Sequence, residues 1–247
     1  MNLKILTATL PAIFLTIAVL GQHVYPKEQI SQPGGTAFTK TATAYPYLIY
    51  MPGMYCPDVE ELWPVVFFLH GSGERGNNTE LVKKNGPPAL IGDWEDSPFF
   101  LISPQCPEGE VWDNDRLMAL VKEIRAKYHI DSTRMYLTGL SMGGYGTWNL
   151  ACAYPGVFAA IAPVCGGGFR LLAHKLIDTP VWAFHGEEDT IVPPSESKRM
   201  TDAVNAAGGN AILTLYPGMG HNSWEPAYAN SELYTWLLSH QLKTQKQ

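Results

Sequence analysis

The sequence predicts an α/β fold in which a mostly parallel central sheet is flanked by helices. Short apolar runs of strand length alternate with helix-length amphipathic stretches over most of the chain. Several runs, such as 63–69, are apolar at every position, which is typical of strands buried on both faces. The chain has 247 residues, and we assign residues 22–247 to a single domain with a full core.

The first half of the chain predicts three strands and one long loop. Residues 22–44 are polar and predict an extended lead-in or an edge hairpin. Strands are predicted at 45–51, 63–69 and 99–103. The polar, glycine- and proline-rich segment 71–96 predicts a loop, and loops of this length are often functional.

The second half alternates regularly between helix and strand. Asp113 or Asn114 begins a helix that runs to about Tyr128, and 131–133 predicts a turn before a strand at 134–140. Further strands are predicted at 158–165, 179–184 and 211–216, and further helices at 144–154, 195–207 and from Ser231 onward. Because parallel strands end at one edge of a sheet, the residues that follow these strands are expected to gather there.

The N-terminus predicts a secretory signal peptide at residues 1–21. Lys4 supplies a positive charge, the apolar stretch 5–20 follows, and 19–21 offers small residues for cleavage. A single membrane anchor is the alternative interpretation. We therefore expect a secreted or periplasmic protein without a stable membrane span after processing.

Charge and cysteine content narrow the class of protein. The formal net charge is −6 and the chain has no basic cluster, which argues against nucleic-acid binding. The four cysteines are Cys56, Cys106, Cys152 and Cys165. Export would permit disulfides, but three pairings are possible, and small buried thiols are the alternative. No spacing of His or Cys suggests a metal site, so we expect neither metal nor organic cofactor.

One pentapeptide carries the strongest functional signal, Gly139-Leu140-Ser141-Met142-Gly143. It lies between a predicted strand and a predicted helix, so Ser141 occupies the apex of a sharp turn. Glycines two positions before and after the serine relieve the crowding of such a turn. The arrangement predicts a nucleophile elbow, in which the hydroxyl stands above a sheet edge at a helix N-terminus.

A serine nucleophile requires a histidine base, and four histidines follow Ser141 in the chain: His174, His185, His221 and His240. His221 lies in a glycine-rich loop after the last strand, where the base of such a site is expected. His185 directly ends a strand and, like His70, predicts a residue that buttresses a turn.

The acid that orients the base is expected between the serine and the histidine in chain order. Glu187, Glu188 and Asp189 leave the penultimate strand together. Asp189 is our first choice because the apolar segment 190–193 anchors the exit of this loop, and Glu188 is the alternative.

An oxyanion hole requires two backbone N–H donors. Met142, directly after the nucleophile, supplies one of them at the positive end of a helix. The loop after His70 and Gly71 supplies the other, and there Ser72 is our first choice and Gly73 the alternative.

Four segments together resemble the α/β-hydrolase superfamily: 70–76 (HGSGERG), 137–144 (LTGLSMGG), 185–193 (HGEEDTIVP) and 220–224 (GHNSW). The resemblance extends from about Tyr45 to the C-terminal helix. Within the superfamily, the chain resembles secreted esterases that are related to polyhydroxybutyrate depolymerases and feruloyl esterases. It implies a catalytic triad of Ser141, Asp189 and His221. Because no long insertion follows the predicted strand that ends at Cys165, we expect a site without a large lid domain.

The resemblance also implies a serine carboxylesterase acting on feruloyl, acetyl or other esters of plant polysaccharide. Trp112, Tyr145 and Trp224 lie near the expected site and are candidate substrate-binding residues, with plain packing as the alternative. Two rival functions stay open. One is a serine peptidase of prolyl-oligopeptidase type, and the other is a non-catalytic carbohydrate-binding module on the same scaffold.

Overall fold

A computed structural model describes residues 29–32, 44–93 and 97–243 of the chain. The predicted signal peptide at 1–21 lies outside the described residues. In the described part, no helix is both long and apolar enough to cross a membrane.

The centre of the molecule is one eight-stranded sheet. Its strands are β1 (Ile30–Gln32), β2 (Tyr47–Tyr50), β3 (Trp63–Leu69), β4 (Phe100–Pro104), β5 (Ile130–Leu140), β6 (Ala160–Val164), β7 (Val181–Gly186) and β8 (Ala211–Tyr216). The spatial order is β1-β2-β4-β3-β5-β6-β7-β8. The first two strands pair antiparallel, and all pairs from β4/β3 to β7/β8 are parallel. The predicted mostly parallel sheet is confirmed.

Six α-helices occur in the described residues: α1 (Pro87–Leu90), α2 (Asn114–Lys127), α3 (Met142–Ala153), α4 (Ser195–Ala206), α5 (Trp224–Ala229) and α6 (Ser231–Leu238). Of the two caps that the sequence offers, Asp113 is the one observed: its side chain accepts the N–H of Arg116 at 2.8 Å. Residues 165–180, between β6 and β7, contain only the 3₁₀ helix Arg170–Leu176 and no separate lid domain.

Strand β3 shows why an unbroken apolar run folds into the centre of this sheet. Val65, Phe67 and Leu69 belong to the core on the face covered by α2, α3 and α4. Val66 and Phe68 belong to the core on the opposite face, beneath α5 and α6. Because successive side chains of a strand point to opposite faces, a strand buried on both sides must be apolar throughout.

The predicted loop at 71–96 is wrong in part. Three 3₁₀ helices (Ser72–Glu74, Thr79–Lys84 and Ile91–Asp93) and α1 lie within it. Each is too short to produce a hydrophobic period, so local caps fix them instead: the Asn78 side chain accepts the N–H of Glu80, and prolines open α1.

Two other expectations also differ from the structure. The predicted turn at 131–133 is part of β5, which begins at Ile130 beside a register shift opposite Trp63 and Val65. Helix α5 has no counterpart among the helices that the sequence predicts. All four cysteines are free thiols; Cys56 is half-buried, and Cys106, Cys152 and Cys165 are buried.

Candidate active site

Ser141 lies between the end of β5 and the start of α3, in a backbone conformation that side chains rarely adopt. Its φ is 54° and its ψ is −116°. Its N–H donates to the carbonyl of Val164 at 3.0 Å, which ties the turn to the end of β6. A non-glycine residue held at positive φ is a strained feature that often marks a functional site.

The two outer glycines of the pentapeptide are required by space, because backbone approaches them closely. A Cβ at Gly143 would lie 1.9 Å from the carbonyl oxygen of Leu69, and a Cβ at Gly139 would lie 2.4 Å from that of Gly143. The elbow therefore packs directly against the end of β3, which carries the HGSG segment.

The structure brings Ser141, His221 and Asp189 together at the carboxyl edge of the sheet. Nε2 of His221 lies 2.9 Å from Oγ of Ser141, and Nδ1 of His221 lies 2.7 Å from Oδ2 of Asp189. Asp189 is thus the carboxylate that contacts the imidazole, whereas Glu188 is exposed. With the proton on Nδ1 shared with the carboxylate, the lone pair of Nε2 faces the serine hydroxyl.

Asp189 is held rigidly by its own loop. Its side chain is buried, and Oδ1 accepts the N–H groups of Ile191 and Val192, both at 2.9 Å. Burial would raise the pKa of this carboxyl, but the hydrogen bonds from His221 and from the two N–H groups outweigh burial and lower the pKa below its ordinary value. The carboxylate is therefore ionised at neutral pH.

His185 contacts the loop that holds Asp189. Its Nε2 lies 2.8 Å from the carbonyl of Val192 and 3.3 Å from Oδ2 of Asp189, and its Nδ1 lies 2.7 Å from Oγ of Ser197. Burial lowers the pKa of this imidazole. These contacts agree with the buttressing role that the sequence predicts for it.

His70 orients the peptide group that carries the Ser72 N–H. The N–H of Cys106 donates to Nε2 of His70 at 3.0 Å, so the imidazole proton resides on Nδ1. That Nδ1 lies 2.5 Å from the carbonyl oxygen of Gly71, which belongs to the same peptide group as the Ser72 N–H. Burial lowers the pKa of His70 to about 4, so the ring stays neutral.

The predicted oxyanion donors belong to Met142 and to the turn that contains Ser72 and Gly73. Met142 is the first residue of α3, so its N–H has no acceptor within the helix. Ser72 and Gly73 form a 3₁₀ turn directly after β3. The Arg75 side chain fixes this turn from outside by donating from Nε to the carbonyl of Ser72 at 3.0 Å.

An apolar depression of about 390 Å³ adjoins Met142. Its lining includes two of the three candidate substrate-binding residues, Trp112 and Tyr145, together with Val111 and Asn149. Trp112 also packs edge-on against His70 and donates to its carbonyl at 3.1 Å, so it has a structural role as well. The sequence analysis did not single out Val111, the neighbour of Trp112, because one valine belongs to no motif.

Trp224, the third candidate, is half-buried and lies against His221. Its ring meets the imidazole of His221 edge to face at a centroid distance of 5.4 Å. This contact makes Trp224 a packing partner of the histidine. Among the described residues, no group of three or more His, Cys, Asp or Glu could hold a metal ion.

Comparison with known proteins identifies the family to which this chain belongs. Residues 107–232 match the dienelactone hydrolase family. The chain is 25% identical over 199 residues to a bifunctional acetylxylan esterase/xylanase from Neocallimastix patriciarum, covering 76% of this chain and 27% of that protein. It is 25% identical over 230 residues to a poly(3-hydroxyoctanoate) depolymerase from Pseudomonas fluorescens, covering 75% of this chain and 82% of that protein.

Solved structures share the fold. A thermostable esterase is 32% identical with a TM-score of 0.73, covering 86% of this chain and 63% of that one. The feruloyl esterase module from Clostridium thermocellum is 16% identical with a TM-score of 0.62, covering 89% of this chain and 90% of that one, a likeness of fold alone. The α/β-hydrolase fold implied by the four sequence segments is confirmed.

Proposed function

Because the chain belongs to the dienelactone hydrolase family, we propose that it is a serine carboxylic-ester hydrolase with Ser141, His221 and Asp189 as its catalytic triad. The single observation that carries this proposal is the continuous hydrogen-bonded chain from Asp189 through His221 to the Ser141 hydroxyl, at 2.7 and 2.9 Å. Both distances lie within the range required for proton transfer.

The mechanism that this geometry supports begins with attack of the Ser141 oxygen on the ester carbonyl carbon. The hydroxyl proton passes to Nε2 of His221 as the new C–O bond forms, and the carbonyl π electrons move onto oxygen. Asp189 stabilises the resulting imidazolium through Nδ1. The intermediate then expels the alcohol, which takes the proton from Nε2 and leaves an acyl group on Ser141. A water molecule then attacks the acyl carbonyl carbon while its proton passes to Nε2 of His221. The acid is released when the Ser141 oxygen leaves and takes this proton back.

The negative oxygen of the intermediate requires donors that are already in place. We assign the N–H of Met142 and the N–H of Ser72 to this role. Neutral His70 supports the second donor, since its Nδ1 proton holds the Gly71 carbonyl of the same peptide group. A donor fixed before the reaction pays no reorganisation energy during it.

For the substrate we propose hydroxycinnamoyl or acetyl esters of plant polysaccharide. The apolar depression beside Met142 offers Trp112 and Tyr145 to a planar acyl group. The related acetylxylan esterase/xylanase acts, by its name, on an acetylated polysaccharide. We also propose export of the protein, which rests on the sequence of residues 1–21 alone.

The proposal is tested by labelling and by substrate choice. A fluorophosphonate probe should label the protein and fail to label Ser141→Ala of the same fold, as checked by circular dichroism. The protein should then hydrolyse 4-nitrophenyl acetate and methyl ferulate faster than peptide anilides at matched concentration. Faster turnover of the anilides would favour a serine peptidase, and absence of labelling would favour a non-catalytic binding module.

A further inference from the structure

A second depression, of about 350 Å³, lies near the first and has a different chemical character. It is lined by Gly168, Phe169, Arg170, Glu196 and Arg199. These residues come from two elements, the segment after β6 and the first turns of α4. We call it the charged depression, and the one beside Met142 the apolar depression.

Tyr145 connects the two depressions. Its side chain lines the apolar depression. Its Cε1 lies 3.1 Å from the position that a Cβ would take at Gly167, directly before the segment that lines the charged depression. The same hypothetical Cβ would lie 2.7 Å from Oε2 of Glu196, which is part of the charged lining. The tyrosine ring therefore separates an apolar subsite from a charged one.

The charged depression also lies at the edge of the sheet that holds the nucleophile. The N–H of Ser141 donates to Val164, the last residue of β6, and the chain passes from there through Gly166 to Phe169. Oγ of Ser197 on α4 donates to the carbonyl of Gly166 at 2.9 Å, which holds α4 against this segment. An ester bound at Ser141 can therefore extend toward both depressions.

The charged depression carries an uncompensated positive charge. Arg199 pairs with Glu196 one helical turn earlier. The Arg170 side chain, in contrast, has no ion-pair or hydrogen-bond partner within the part of the chain that the structure describes, and its 3₁₀ helix contains Lys175 and no carboxylate. In a chain of net charge −6, two guanidinium groups facing one carboxylate favour an anionic ligand.

Phe169 adds an apolar surface to this charge. Its side chain is 60% exposed, and it lines the depression beside Arg170. An exposed aromatic ring beside arginines suits a ligand with both an apolar ring face and a carboxylate. A uronic acid residue of a polysaccharide has both.

We propose that the charged depression binds a carboxylate carried by the alcohol part of the ester, as on a uronic acid residue next to the esterified sugar. The inference rests on the proposed ester hydrolysis and assigns the apolar depression to the acyl group. Arg170 supplies the charge that attracts the carboxylate, Arg199 a second guanidinium, and Phe169 the surface for the ring. The terminal hydroxyacid unit of a polyester, whose carboxyl group is free, presents the same carboxylate without the ring.

The first experiment compares two esters of ferulic acid, one with glycolic acid and one with ethylene glycol. They differ only in whether the alcohol part carries a carboxylate. In Arg170→Gln and in Arg199→Gln, KM for the glycolate ester should rise about threefold to tenfold, whereas kinetics on the neutral ester stay within twofold. The effect should shrink as salt is raised, because exposed charges are screened.

Arg125→Gln is the matched control. Arg125 is exposed in the last turn of α2, near the start of β5, and therefore lies at the amino ends of the parallel strands, away from the candidate site. It should leave KM for both esters unchanged. Equal effects of the three arginine changes, or equal KM changes for the charged and the neutral ester, would overturn the proposal.

The second experiment measures binding without turnover, so that it does not depend on the proposed hydrolysis. Ser141→Ala is titrated calorimetrically with a xylo-oligosaccharide that carries one glucuronic acid and with a neutral one of the same length. Tighter binding of the acidic sugar that is lost in Ser141→Ala/Arg170→Gln supports the uronic acid. If only the glycolate ester depends on Arg170, a hydroxyacid is the source of the carboxylate. If neither experiment shows a dependence on Arg170, the proposed site is refuted.

Discussion

Replacing Asp189 by Asn tests the proposed triad with almost no change of shape. Oδ1 of Asp189 accepts two backbone N–H groups at 2.9 Å, and Oδ2 faces Nδ1 of His221 at 2.7 Å. Asparagine has only one acceptor oxygen, and the two N–H groups of Ile191 and Val192 require it. The amide NH₂ must then face Nδ1 of the histidine.

This reversal moves the imidazole proton to the wrong nitrogen. An NH₂ facing Nδ1 makes that nitrogen an acceptor, so the proton shifts to Nε2, which then donates toward Ser141 and cannot take its proton. We expect kcat to fall by about 10³- to 10⁴-fold, equivalent to roughly 4 to 5.5 kcal/mol of activation free energy. Stability should change by only about 1 kcal/mol, because both backbone hydrogen bonds survive.

The assay is steady-state hydrolysis of 4-nitrophenyl acetate, with urea unfolding as the measure of stability. The control is Glu188→Gln, because Glu188 is the exposed neighbour of Asp189 and should change kcat less than about twofold. A kcat of Asp189→Asn within tenfold of the parent would refute the tautomer argument. A larger loss in Glu188→Gln than in Asp189→Asn would show that the wrong carboxylate has been assigned.

Three further predictions concern the surroundings of the triad. Gly143→Ala should lower the free energy of unfolding by at least about 3 kcal/mol in urea, because its Cβ would lie 1.9 Å from the Leu69 carbonyl, whereas Gly92→Ala, with open space around it, should not. The pKa of His70 is lowered from 6.5 to about 4, so between these pH values the unfolded chain binds a proton that the folded chain does not. Stability therefore rises with pH, and the free energy of unfolding should drop by about 2 kcal/mol from pH 7 to pH 5. His70→Gln should lose that part of the pH dependence. Trp224→Ala should lower kcat about tenfold with little change in KM if the ring only supports the base, and a rise in KM without loss of kcat would instead identify a substrate contact.

The sheet could be predicted from the sequence because its signals are local. The run at 63–69 is apolar at every position, and the structure buries its alternate side chains in two different cores. The short helices of segment 71–96 could not be predicted, because each spans one or two turns and depends on a single cap or on prolines. Strand β5 begins earlier than predicted because Ile130 pairs with Trp63, a partner distant in sequence.

For the candidate site, local sequence patterns were enough to predict that Ser141 lies at a sharp turn after one strand and that His221 lies in the loop after the last strand. The carboxylate that contacts the histidine was settled by contacts between segments that are distant in the chain. Glu188 and Asp189 are adjacent and chemically alike, but the N–H groups of Ile191 and Val192 turn Asp189 inward and leave Glu188 in solvent. The charged depression likewise required the fold, because its arginines lie on separate elements that only packing brings together.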